Sequence, residues 1–185
     1  MRGRSRTALL GALVAAAGIG VGVWIGRGSA PAASTRTVTA PAAAASASSL
    51  PPAVTRTRRR LLAAARSRDW AALGRLASGH GFSFTFGDPS GGPVAYWRAL
   101  ESSGGKPLET LVALLRMPST LAGDLYVWPF AYDRDPAGLT AYEKRLLAPI
   151  ADEQAIRDWI GYGSYTGYRT AIAPDGAWRY FIRGD

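Results

Sequence analysis

The chain of 185 residues contains no cysteine, no asparagine and a single histidine, His80. Without cysteine it forms neither disulfide bonds nor cysteine-based zinc sites. Without asparagine it has no N-glycosylation sequon. His80 lies in the segment SGHGF, without a second histidine as a partner, so we expect a turn residue rather than a metal ligand. We predict no metal site and no cofactor, and we assign no catalytic residue.

Acidic residues are absent from residues 1–60, which hold nine arginines. Residues 61–185 hold 11 arginines, two lysines and 13 acids, so their formal charge is zero and the net charge of +9 belongs to the N-terminal part. A nucleic-acid-binding surface needs clustered positive charge, and we therefore expect no nucleic-acid partner for the domain. The excess of arginine (20) over lysine (2) is typical of a GC-rich bacterial genome.

Residues 1–27 have the pattern of an export segment. Three arginines precede an uncharged, mostly apolar run, residues 7–26, which Arg27 follows. Such a run is long enough to cross a hydrocarbon layer of about 30 Å as a helix, and the basic N-terminus favours the cytoplasmic side. We predict a single-pass membrane anchor with an extracytoplasmic domain in the cell envelope. The alternative is a signal peptide cleaved near Ala32, which would release the protein.

Within that run, Gly18, Gly22 and Gly26 recur every four residues. This spacing lets two helices approach closely and favours a weak homodimer. The same glycines are equally typical of filler in an export segment, and both interpretations stay open.

Residues 28–51 consist mainly of alanine, serine, threonine and proline, which predicts a disordered spacer. Residues 52–185 hold five of the six tryptophans and all tyrosines and phenylalanines, enough large side chains for a globular core. Helix and strand signals are mixed rather than alternating. The sequence therefore predicts an α+β domain with several short helices and an antiparallel sheet.

The helix signals are proline at the first position, Asp69 as an N-cap, and a capping box of Thr140 and Glu143. They predict helices through TRTRRRLLAAARS, WAALGRLAS, PVAYWRALES, LETLVALLRM, AYEKRLLAPI and ADEQAIRDWIG. Strands are predicted at FSFTFG, where Phe82, Phe84 and Phe86 share a face, and at DLYVWP.

The C-terminal segment predicts a β-hairpin around the turn Pro174-Asp175-Gly176. A three-residue loop pairs Ile172 with Trp178, Thr170 with Tyr180, and Tyr168 with Ile182, and we expect this face to be the core side. The other face should be solvated or contact an anion; it carries Arg169, Ala171, Arg179, Phe181 and Arg183.

Three motif matches fail on their chemistry. Ser103 and Lys106 have the serine–lysine spacing of penicillin-binding enzymes, but glycines end the helix there and the other elements are absent. Asp133 and Asp135 begin a calcium-type loop whose closing glutamate, Glu143, falls one residue early. The glycines at 161–167 run from a helix to a strand, the wrong direction for a dinucleotide loop.

Tyr162 and Tyr165 stand among glycines before the hairpin. Exposed rings of this kind stack on sugars or anchor a protein partner. We therefore predict a ligand-binding surface formed by Tyr162, Tyr165, Arg169 and Arg179. For the arginines of the first helix, at 56 and 58–60, we expect a solvated face, with added attraction to anionic lipid as the alternative.

The segment RSRDWAALGRLA, residues 66–77, resembles the start of NTF2-like (SnoaL-type) domains, in which a short helix beginning Asp-Trp precedes the strands. The resemblance implies an α+β cone that binds a small molecule or acts as an enzyme, with a pocket lined by aromatic residues. No site residue is carried over, because two consecutive helices follow FSFTFG here. The domain as a whole is similar to exported bacterial domains.

The sequence leads to two hypotheses about function. The first is a membrane-anchored, non-enzymatic binding or accessory module of the cell envelope, with an envelope polymer or a protein as its partner. The alternative is the small-molecule-binding domain or enzyme that the NTF2-like resemblance implies.

Overall fold

The structure, a computed structural model, describes residues 49–87 and 90–184. It contains helices α1 (Pro52–Ser67), α2 (Trp70–Ala77), α3 (Gly92–Ser102), α4 (Pro107–Arg116), α5 (Ala141–Leu147) and α6 (Glu153–Tyr162). Two short 3-10 helices, Phe130–Asp133 and Pro136–Gly138, lie before α5. The predicted α+β class is confirmed for the domain.

Helices α2 and α5 begin where their predicted N-caps place them. The Asp69 carboxylate accepts a hydrogen bond of 2.9 Å from the Ala72 N–H, and it thereby satisfies a donor that the first turn of α2 leaves free. The capping box is present as well, with the Glu143 N–H donating to the Thr140 hydroxyl and the Thr140 N–H to the Glu143 carboxylate. Helix α5 ends at Leu147, three residues before the end of the predicted segment.

Four antiparallel strands form one sheet in the order β1-β2-β3-β4. Their bounds are β1 (Thr120–Ala122), β2 (Leu125–Trp128), β3 (Tyr168–Ile172) and β4 (Trp178–Arg183). The predicted strand DLYVWP corresponds to β2. The sequence analysis missed β1, which is only three residues long and turns back at Gly123, where φ is +60°.

A first core cluster packs helices α1 to α4 against one face of the sheet. Leucines supply the helical side, among them Leu61, Leu73 and Leu111, all fully buried. Aromatic rings join the sheet to the helices: Trp178 of β4 lies 5.6 Å from Trp97 of α3, measured between ring centroids. A second cluster joins α5, α6 and the first 3-10 helix around Phe130, Leu147, Trp159 and Tyr165.

The predicted hairpin exists, but its register is only partly as predicted. Ala173 donates to the Ala177 carbonyl across the three-residue loop, and Ile172 pairs with Trp178. Beyond that pair a bulge shifts the register by one residue, so that Tyr180 faces Ala171 and Phe181 faces Thr170.

The shifted register corrects the prediction of the core face. Phe181, which we placed on the solvated face, is buried in the first cluster. Arg169 and Ala171 are also buried, so the second face of the sheet is covered as well. Of the residues assigned to that face, only Arg183 is exposed, and Arg179 is half-buried.

The segment FSFTFG is not a strand, contrary to the prediction. It makes one isolated parallel bridge: the Ser83 N–H donates to the Arg179 carbonyl, and the Ser83 carbonyl accepts from the Phe181 N–H. Phe82 and Phe84 reach the core as their alternation predicts, whereas Phe86 is 61% exposed.

The hairpin turn rests on α1. Thr57 Oγ1 donates a hydrogen bond of 2.7 Å to the Gly176 carbonyl. Gly176 has a φ of +91°, and a Cβ there would lie 3.1 Å from the Ala53 carbonyl oxygen. The turn therefore requires glycine for both its backbone conformation and its approach to the helix.

None of the helices in the described part of the chain is long and apolar enough to cross a membrane. The predicted anchor, residues 7–26, its glycines Gly18, Gly22 and Gly26, and the cleavage site near Ala32 all lie outside the described residues.

Candidate functional site

The two tyrosines predicted to form a binding surface differ in exposure. Tyr162, at the end of α6, is 73% exposed. Tyr165 is buried: its ring lies 4.5 Å from that of Trp159, and its hydroxyl donates to the Tyr168 carbonyl. Burial raises the pKa of the Tyr165 hydroxyl well above its ordinary value. The aromatic surface expected from these two rings is therefore not formed, because one of them packs inside the second cluster.

Arg169 is 8% exposed, although we predicted it on an open face. Its guanidinium carbon lies 5.5 Å from the ring centroid of Tyr132 and 5.8 Å from that of Phe86. These are distances at which a cation is attracted by an aromatic ring. Arg169 is thus placed among aromatic rings, in a position that strand alternation alone could not reveal.

Arg179 is the second residue of β4, and its side chain contacts residues of two loops. Its guanidinium lies 4.0 Å from the Asp175 carboxylate and donates to the His80 carbonyl at 3.4 Å. These contacts join the hairpin turn to the SGHGF turn. A ligand-binding role for the four predicted residues stays a prediction.

A cleft of about 450 Å³ opens beside Tyr165. We call it the Asp133 cleft; it is lined by Tyr132, Asp133, Arg134, Asp135, Gly163, Ser164 and Tyr165. Two loops form it, the segment after β2 and the segment between α6 and β3. Tyr165 is buried, Tyr132 is half-buried and the other five residues are exposed, so the cleft is open to solvent.

Local hydrogen bonds and ion pairs hold part of this lining in place. The Asp135 carboxylate accepts from the Ala137 N–H at 2.9 Å and begins the second 3-10 helix. The Arg134 guanidinium lies 4.0 Å from the Glu143 carboxylate of the capping box. Side chains that are already ordered lose less entropy when a ligand binds.

The cleft also brings together two segments that the sequence analysis had considered separately. Asp133 and Asp135 come from the calcium-like loop, and Gly163 and Ser164 from the glycine-rich segment before the hairpin. No group of three or more histidine, aspartate or glutamate side chains suited to a metal ion occurs among residues 49–87 and 90–184. The lining offers two carboxylates, one guanidinium, the serine hydroxyl and the side chains of two tyrosines.

The sequence analysis missed the cleft because no single segment contains it. The only available signal was the presence of acids in one loop and small residues in another, and the fold alone places these loops side by side. Comparison with protein-family models, with curated proteins and with solved structures finds no match to this chain.

Proposed function

We propose that this chain is a membrane-anchored, extracytoplasmic binding module that holds a hydroxyl-rich polymer of the cell envelope, a glycan, in the Asp133 cleft. The observation that carries the proposal is the mixed lining of the cleft, which combines two carboxylates and a guanidinium with two tyrosine side chains. The predicted anchor at residues 7–26 supplies the location.

The lining fits a polyol better than an ion. Carboxylates accept hydrogen bonds from hydroxyl groups, and a guanidinium donates to ring and hydroxyl oxygens. With Asp133 and Asp135 beside Arg134, the cleft lacks the single sign of charge that selects an anion or a cation. An aromatic ring such as that of Tyr132 can cover the apolar C–H face of a sugar.

The open shape favours a polymer. A small-molecule site typically encloses most of its ligand, whereas the rim of this cleft is exposed. An open cleft can hold one or two sugar units while the chain continues on both sides. The aromatic residues near β4 pack on each other instead of lining a cavity, with Phe82 and Trp178 only 4.5 Å apart. The NTF2-like resemblance therefore stays a prediction without a site of its own.

Calorimetric titration of full-length protein in detergent with an N-acetylglucosamine tetrasaccharide tests the binding site. We expect saturable binding that Asp133→Asn weakens about 10-fold or more, because a hydrogen bond to a charged group is worth about 1.5–3 kcal/mol. Asp124→Asn, an equal change at an exposed turn outside the cleft, should leave the affinity unchanged. No saturable heat, or an equal loss in both variants, would contradict the proposal.

An assay for reducing sugar ends, made on the titrated samples, separates binding from catalysis. Release of reducing sugar ends by the wild-type protein, lost in Asp133→Asn, would support an enzyme instead. Fractionation of cells tests the anchor: the full chain should stay with the membrane, and a version beginning at Ser49 should not. If the full chain is expressed and the protein is found in the medium without residues 1–32, the segment is a cleaved signal peptide.

A further inference from the structure

One side of α1 and the adjoining part of α2 carry only positive charge among their long polar side chains. Residues three and four apart share one face of a helix, and four arginines of α1 do so. Together with one arginine of α2 they form what we call the arginine face: Arg56, Arg59, Arg60, Arg66 and Arg75. All five are exposed. Helix α1 contains no acidic residue.

These five arginines have no carboxylate partner within the described part of the chain, where the ion pairs involve other arginines and Lys106. Arg60 and Arg75 line a common groove of about 270 Å³ between α1 and α2, together with Ser67 and Asp69. Asp69 offsets one charge in that groove, but its carboxylate is already engaged as the N-cap of α2. The face as a whole is therefore strongly positive.

Arg58 shows the contrast with a structural arginine. It is half-buried, and its Nε donates a hydrogen bond of 2.6 Å to the Leu115 carbonyl near the end of α4. Burial lowers the pKa of its guanidinium. The sequence analysis grouped Arg58 with its neighbours, and the structure separates it from them because it faces α4.

We propose that the arginine face docks the domain onto a surface of anionic lipid. The charge of the face selects an anionic partner, and helix α1 begins 26 residues after the predicted anchor ends at Gly26. The disordered spacer that the sequence predicts would span about 25–30 Å on average over that length, so a bilayer would be within reach. This step rests on the anchor of the proposed function.

A nucleic acid fits the face less well. Single-stranded nucleic acids are held by aromatic platforms placed among the basic residues, whereas no aromatic residue occurs in α1 or lines the groove beside it. A lipid headgroup needs charge alone.

The absence of cysteine provides a clean test on the full chain. Ala63→Cys places a single environment-sensitive fluorophore between the arginines, and Tyr142→Cys, at a residue 63% exposed on α5, serves as the control. In protein reconstituted into vesicles of phosphatidylcholine and phosphatidylglycerol, the label at 63 should shift to the blue and be quenched by spin-labelled lipid. The shift should be absent in phosphatidylcholine alone and at high salt. The label at 142 should respond to neither lipid.

Charge reversal then tests the arginines themselves. Arg59→Glu with Arg60→Glu should lower the ratio of docked to free domain by at least about 25-fold, because each arginine near an anionic surface contributes about fivefold. Lys144→Glu with Arg145→Glu makes the same charge change on exposed residues of α5 and should have little effect.

Three outcomes would overturn the inference: an equal signal in neutral and anionic vesicles, an unchanged signal after reversal of Arg59 and Arg60, or a response to an RNA oligonucleotide but not to anionic lipid. Failure of the anchor is recognised separately. In that case alkaline carbonate would extract the full-length protein from the vesicles before any docking is measured.

Discussion

The indole Nε1 of Trp178 donates a hydrogen bond of 2.8 Å to the hydroxyl of Thr170, and both residues are buried. The Thr170 hydroxyl in turn donates to the Tyr180 carbonyl at 2.8 Å. A buried indole N–H without an acceptor would destabilise the fold. The Thr170 hydroxyl thereby satisfies the indole N–H of Trp178 in the core. It also links β3 to β4 at Tyr180, beyond the bulge.

Trp178→Ala should lower the free energy of unfolding by about 3–5 kcal/mol, because it empties a large aromatic site among Phe82, Trp97 and Ile172. Urea unfolding followed by circular dichroism measures the change. Leu121→Ala, at a position 58% exposed on β1, should change the free energy by less than about 0.5 kcal/mol. An unchanged midpoint for Trp178→Ala would show that this side chain does not hold the core together.

Gly167→Ala should destabilise the domain by about 1–3 kcal/mol, as overpacking of a close contact does. A Cβ at this position would lie 2.7 Å from the Tyr165 ring carbon Cζ and 2.9 Å from Trp159 Cζ2. Gly161→Ala is the matched control, since nothing lies within 4 Å of its Cβ position in α6. Replacing a helical glycine by alanine there should stabilise slightly. Thermal unfolding that finds equal effects at both positions would contradict the packing of Tyr165 against Trp159.

The capping box predicts a pH-dependent contribution to stability. Hydrogen bonds from the Thr140 backbone and side chain lower the pKa of Glu143 from its ordinary value of 4.5. The ionised carboxylate is favoured in the folded state, so this stabilisation is present above pH 4.5 and is lost as pH falls through the lowered pKa.

Thr140→Ala should therefore cost about 1 kcal/mol at pH 7, and less once Glu143 is protonated in acid. Urea unfolding at pH 7 and at an acidic pH below the lowered pKa of Glu143 measures the difference. Ser102→Ala also removes an exposed helical hydroxyl, which donates to the Arg98 carbonyl, but no carboxyl group depends on it. A pH dependence of the same size in both variants would assign the effect to something other than the box.

Stability should also fall in alkaline solution. The pKa of Tyr180 is raised to about 12. Burial is the main cause and Tyr132 adds to it, while the positive charge of Arg169 opposes both effects. The unfolded chain releases this proton near pH 10, so the stabilisation is complete below pH 10 and is lost as pH rises towards 12.

Tyr180→Phe should reduce that alkaline loss, because the buried group no longer ionises. Urea midpoints at pH 8, 10 and 11 provide the measurement. Tyr162→Phe, at a residue 73% exposed, should retain the full wild-type loss. If Tyr180→Phe also retains it, the ionisation of Tyr180 does not control stability in alkali.

Local signals predicted the helices well because their causes are local. Asp69 and the pair Thr140 and Glu143 act on N–H groups within three residues of themselves. The hairpin turn was predicted for the same reason, since Asp175 accepts from the Ala177 N–H two residues away.

The rest depends on contacts distant in sequence. The register of β3 and β4 is shifted at Arg179, whose carbonyl pairs with Ser83, and no local pattern encodes that partner. Arg169 is buried because rings from two other segments cover it. A prediction from the alternation of side chains along a strand assumes that one face of the sheet is exposed to solvent. The Asp133 cleft likewise exists only after two loops meet.

The contact between Thr57 and Gly176 spans 119 positions. Because a ribosome releases the chain from its first residue onwards, α1 emerges long before the turn that it contacts. The helix can form early, but its apolar side stays incomplete until almost the whole domain has been synthesised. Contacts this distant slow folding and expose apolar surface meanwhile. The packing of α1 is therefore complete only when the C-terminal hairpin is available to contact it.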